Sequence, residues 1–150
     1  VQLNYLFDQL LRGRITPGMT IFDAGFGGGR NLVYFLNEGY TVFAVVHGSQ
    51  PKFTIPEVTQ DIHRAIRYIR TNAAKWSVNP DKFGISGASA GGHLSLTMGT
   101  QGGPGKADAK DPIDRASSAV QAVACFFPPT DFLNYGQAGE DATGVGTLKK

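Results

Sequence analysis

A single cysteine, Cys125, stands among the 150 residues. That excludes an intrachain disulfide framework and any cysteine-rich zinc module. No apolar run approaches the about 18 residues a membrane helix needs, and no charged leader precedes an apolar segment, so neither a span nor a targeting signal is expected. The cytoplasm is then the default compartment. Charge is sparse and nearly balanced, with 14 Lys plus Arg against 12 Asp plus Glu. Without a basic stripe, nucleic acid is not an expected partner. Hydrophobic residues at 41 % exclude a disordered chain, and the length suits one ordinary domain. Glycine is the abundant type, with 20 residues, about twice the average share. They gather at strand ends and in two loops.

The periodicities alternate between strand and helix. Leu3, Leu6, Phe7, Leu10 and Leu11 have helical spacing, and Thr16-Pro17-Gly18-Met19 reads as a turn. A short strand follows near 20–25, then a helix over Asn31 to Asn37 stopped by Gly39. Thr41 to Val46 is a continuous apolar run that suits a strand covered on both faces. Pro56 and Glu57 open the strongest helix, with Val58, Ile62, Ala65, Ile66, Ile69 and Ala73 along one face. A strand near 83–86, a helix from Ala90 to Met98, a solvated loop over 101–117 and an apolar strand over 119–127 complete the pattern. Strands alternating with helices predict an α/β three-layer sandwich around a small parallel sheet of about four strands.

Gly87-Ala88-Ser89-Ala90-Gly91 matches G-x-S-x-G between the third strand and the helix that follows. Small neighbours let the chain turn sharply and hold the serine hydroxyl out above the sheet. The Ala90 N–H then points to where an oxyanion would form, reinforced by the helix N-terminus. From about Gly39 onward the chain resembles an α/β-hydrolase of the carboxylesterase and lipase-like group. The matching residues are Gly39 to Val46, Asp61-Ile62-His63-Arg64-Ala65, Asn79 to Ile85, Ser86 to Leu94, and Ala124-Cys125-Phe126-Phe127-Pro128-Pro129-Thr130-Asp131-Phe132. The resemblance implies sheet order 2-1-3-4, Ser89 as nucleophile and Ala90 as an oxyanion donor. In that group the acid and histidine of the triad follow later strands than this chain contains, so the resemblance is to a truncated hydrolase.

Histidines within the chain are the local candidates for a base, since a serine without one is a weak nucleophile. His47 follows the second strand on the same rim as Ser89. His93, one turn past Ser89, reads as a packed helix residue running away from the site, and His63 as a partly exposed one. Asp131 stands where an orienting carboxylate could sit, or where it could cap the following segment. The glycine run places Gly27 and Gly28 at a strand end comparable to an oxyanion loop.

That run, Asp23-Ala24-Gly25-Phe26-Gly27-Gly28-Gly29-Arg30, also matches D-x-G-x-G-x-G between strand and helix. Over about the first 45 residues it resembles motif I of S-adenosylmethionine-dependent methyltransferases, which implies a cofactor cradle at Gly25, Gly27 and Gly29. The acidic residue that binds the ribose in that family is replaced here by Val46. The two resemblances meet in one strand, as in a chimera. Three readings follow: a serine ester hydrolase without metal or organic cofactor, acting on a small-molecule ester; an S-adenosylmethionine-binding domain; or a silent assembling fold. Open sheet edges predict a homo-oligomer.

Overall fold

The computed structural model describes residues 18–24, 30–48 and 52–142. The N-terminal helical pattern and the glycine run at 25–29 lie outside them. Four parallel strands, β1 (Thr20–Ala24), β2 (Thr41–Val45), β3 (Phe83–Ala88) and β4 (Ala122–Phe126), form a sheet in the order β2-β1-β3-β4. This is the expected topology. Helix α1 (Arg30–Asn37) covers one face, while α2 (Ile55–Thr71) and α3 (Ala90–Gln101) cover the other.

Each face closes on its own core. Val58, Ile62, Ile66 and Ile69 of α2 meet Phe83 and Ile85 of β3 and Leu94 and Met98 of α3. Spacings of three and four put these residues on one stripe. Fully burying each such side chain stabilises by about 1.5–3 kcal/mol. On the opposite face, Met19, Ile21, Phe35, Tyr40, Ala124 and Phe126 pack together, with Phe35 and Tyr40 edge-to-face at 5.6 Å.

Helix α2 starts on a capping box. Thr54 Oγ1 accepts the Glu57 N–H at 3.4 Å, and the Glu57 carboxylate accepts the Thr54 N–H at 2.8 Å. It stops at Thr71 rather than running on to Ala73. The Asn72 N–H turns back to the Tyr68 and Arg70 carbonyls, and Ala73–Trp76 form a separate 3-10 turn.

Three local expectations are corrected. The edge strand β2 is half-exposed rather than covered on both faces. The loop at 101–117 is not merely solvated: Asp111 caps a short helix α4 (Pro112–Arg115) through the Ile113 N–H, and Arg64 of α2 pairs with Asp111 and Asp114. Strand β4 begins at Ala122, because Arg70 takes the carbonyls of Ser117 and Ala119 before the strand starts.

His63 is also corrected, from partly exposed to buried. It is 8 % exposed, with Nδ1 2.9 Å from the Ser118 hydroxyl. Burial, and secondarily the charge of Arg67, hold its pKa below the ordinary 6.5. The folded state therefore resists a proton that the unfolded chain accepts near pH 6.5. Stability is complete above that pH and falls as the pH drops below it toward the folded pKa. Urea midpoints at pH 7.5 and 5.5 should show this loss, and His63→Gln should remove part of it. An identical loss in the variant would assign the effect elsewhere.

Candidate active site

Ser89 sits between β3 and α3 with φ 55 and ψ −118, a left-handed, sparsely populated conformation for a side-chain-bearing residue. Two features hold it there. Its N–H donates to the Phe126 carbonyl at 3.0 Å, and its own carbonyl accepts the His93 N–H at 3.0 Å, starting the helix. The turn is tight because α3 lies almost against the end of β4. A Cβ on Gly92 would come within 2.7 Å of the Phe126 carbonyl oxygen, and one on Gly99 within 2.6 Å of Val123. Gly92, fully buried Ser95 and Gly99 form a stripe of small residues on the helix side facing β4.

Ser89 and Ala90 open into a pocket of about 270 Å³ at the C-terminal ends of the strands, where open α/β sheets place ligands. One side is formed by His47 and Gly48 beyond β2, with Phe53, Ile55 and Val58 at the start of α2. The other is formed by His93 and Leu94 of α3 and by Pro129, Phe132 and Tyr135 beyond β4. Among the described residues, apart from Ser89, Tyr135 and the two histidines, the lining is apolar or backbone. At residue 90 the N–H belongs to the first turn of a helix and has no intrahelical acceptor, which leaves it available to an oxyanion.

Both pocket histidines have a defined tautomer. His47 Nδ1 lies 2.6 Å from the Gly48 carbonyl and His93 Nδ1 lies 3.1 Å from the Pro129 carbonyl. A carbonyl only accepts, so each Nδ1 carries the proton and each Nε2 is the basic nitrogen. Burial lowers the His93 pKa, partly offset by the bond to Pro129. His93 therefore lines the pocket instead of running away from it. Spacing alone concealed this, because the partner residues lie 36 positions later in the chain.

Asp131 is exposed and lies outside the pocket lining. Its carboxylate accepts from the N–H groups of Leu133 and Asn134, at 3.0 Å each, and from Asn134 Nδ2 at 2.9 Å. These bonds, chiefly that from the Asn134 side chain, lower its pKa from the ordinary value. Its carboxylate thus caps the segment that follows. Gly25, Gly27, Gly28 and Gly29, candidates for oxyanion or cofactor contacts, lie outside the described residues.

Residues 24–147 match the BD-FAE family. The chain belongs to that family. The match takes in the glycine run and α1 as well as the serine turn. Esterase LipQ of Mycobacterium tuberculosis is 31 % identical over 101 residues, which cover 64 % of this chain and 22 % of that protein. A truncated carbohydrate esterase from gut microbiota superimposes with a TM-score of 0.68 at 28 % identity, covering 89 % of this chain and 56 % of that one. MGS-M1, an alpha/beta hydrolase from a Medee basin deep-sea metagenome, aligns with a TM-score of 0.50 at 27 % identity over 54 % of this chain and 37 % of its own. This BD-FAE chain thus has the α/β-hydrolase sheet of esterases. It spans less than a quarter of the length of LipQ.

The close approach of α3 to β4 is directly testable. Gly92→Ala forces a methyl group onto a backbone oxygen and should destabilise by about 2 kcal/mol or more. Gly103 has open space around it, so Gly103→Ala should change stability by less than about 0.5 kcal/mol. Urea unfolding compares the two, and equal effects would refute the packing argument.

Proposed function

We propose that this chain is the nucleophile-bearing part of a serine ester hydrolase that acts on small carboxylic esters. The supporting observation is Ser89, held at φ 55 and ψ −118 at the mouth of an apolar pocket. Esterase relatives and esterase-like structures favour the same chemistry.

In this reading Ser89 Oγ attacks the ester carbonyl carbon. The oxyanion is met by the Ala90 N–H, and the alcohol leaves with a proton. Water then hydrolyses the acyl-serine. His47, with Nδ1–H given to Gly48, offers Nε2 to take the serine proton and return it to the leaving alkoxide. The cycle needs no metal or organic cofactor.

Two substitutions separate chemistry from fold. Ser89→Ala should abolish turnover of short p-nitrophenyl esters and fluorophosphonate labelling while leaving the unfolding midpoint near the parent's. Ser89→Gly should be equally inactive yet more stable by about 1 kcal/mol, since glycine relieves the strained conformation. Residual labelling at the parent rate in either variant would place the nucleophile elsewhere.

Assembly belongs to the same reading. β4 is an outer strand of the described sheet, Val123 on it is 38 % exposed, and Phe127 just beyond it is 66 % exposed. This apolar margin supports a homo-oligomer, most simply a two-fold dimer. Light scattering at micromolar concentration should return twice the 16.0 kDa of one chain, and a monomer would end the proposal.

A further inference from the structure

Beyond β4 the chain turns back toward the pocket and closes on itself. Phe127 leaves the strand at φ 37. The Ala142 N–H then donates to the Phe132 carbonyl at 2.7 Å, the Tyr135 N–H to the Glu140 carbonyl at 2.9 Å, and the Gly139 N–H to Asn134 Oδ1 at 2.9 Å. Gly136 and Gly139 turn its corners at φ 90 and φ 80, angles that a side chain would strain. The loop at 129–142 is therefore shaped by its own backbone bonds and forms one wall of the pocket.

Among the described residues, an imidazole of α3 makes a polar and an aromatic contact with this loop. His93 Nδ1–H donates to the Pro129 carbonyl at 3.1 Å. The same ring stands edge-on to Phe132 with centroids 4.6 Å apart, and Phe132 stacks on Tyr135 at 5.8 Å and 9°. His93 thus holds Pro129 and Phe132 directly and Tyr135 through Phe132, one helical turn from Ser89. Its other nitrogen faces Thr97 Oγ1 at 3.4 Å, a turn further along the helix. The Thr97 hydroxyl hydrogen goes to the His93 carbonyl at 2.9 Å, so Nδ1 is the ring nitrogen committed to a bond, and Nε2 lies toward Thr97, a turn away from the serine. This suits a positioning role rather than a proton transfer.

We infer that His93 is a positioning residue that docks the 129–142 loop as the wall of the acyl pocket, so that discrimination between short and long acyl groups runs through it. The inference rests on the reading of Ser89 as nucleophile. Removing the imidazole frees the wall without touching the serine turn, because the helix bond from the His93 N–H to the Ser89 carbonyl belongs to the backbone. A mobile wall loses contact area with a long acyl chain and little with acetyl.

The test compares the parent with His93→Ala and His93→Asn. Asparagine carries an N–H donor at nearly the reach of Nδ1 and is the conservative rescue. Hydrogen exchange of the amides of Tyr135 and Gly139 should quicken about tenfold in His93→Ala and return most of the way in His93→Asn. KM for p-nitrophenyl hexanoate should rise about tenfold in His93→Ala, with kcat and the acetate KM shifting by less than about threefold. Unchanged exchange, an equal KM rise for both esters, or an asparagine variant no better than alanine would each overturn the inference. Should His93→Ala fail to fold, Phe132→Leu, which removes the ring contact from the loop side, must reproduce the pattern. Exchange needs no turnover. A parent inert to fluorophosphonate would therefore sink the Ser89 reading, while the exchange comparison would still decide the docking.

Discussion

Gly92 has no Cβ, and the Phe126 carbonyl oxygen occupies the space just beyond where one would be. That approach lets the same oxygen accept the Ser89 N–H, which fixes the peptide preceding the serine and forces the left-handed φ. A helix standing one side chain further off would relax the turn, and the hydroxyl would no longer be held above the strand ends. Gly99, one helical repeat later, keeps α3 equally close to Val123. The site is therefore set by backbone proximity between α3 and β4 before any polar side chain contributes.

The described surroundings of the serine are electrically quiet. The pocket is walled by Phe53, Ile55, Val58, Leu94, Phe132 and Pro129, with no Lys, Arg, Asp or Glu among its described lining residues. Burial favours the uncharged imidazole at His93. In such a medium a fixed N–H dipole acts on a developing oxyanion more strongly than it would in water. In the proposed reaction the helix start at Ala90 and the apolar lining would be complementary: one supplies the dipole and the other keeps it unscreened.

Much of this was legible in the chain. The G-x-S-x-G run between a β-type and a helical period located the serine turn, the alternation of elements yielded a small parallel sheet, and the hydrolase resemblance supplied the strand order. The misread features depend on partners distant in sequence. His93 pairs with Pro129 and His63 with Ser118, and neither spacing leaves a local trace. β4 starts late because Arg70, from another helix, competes for its leading carbonyls. Two signals were present and unread: Thr54 with Glu57 three residues on, a capping box, and Asp111-Pro112, a cap followed by proline at the start of α4. Asp131 stayed open between two roles because a carboxylate near a strand end looks the same whether it orients a histidine or closes a turn.

Arg70 lies at the opposite end of the sheet from the serine. Its guanidinium reaches the carbonyls of Pro80, Ser117 and Ala119, and it sits over the Phe83 ring at 4.4 Å. One side chain thus ties the end of α2 to the segments that lead into β3 and β4, and the Gln121 side chain and backbone clasp Phe83 beside it. The floor of the sheet is riveted while its rim is built from loops. Such a division leaves rim loops free to change length and composition without disturbing strand alignment. Lysine at position 70 would keep the charge but not the fan of donors, and the strand ends would lose the brace that lets the rim vary independently of them.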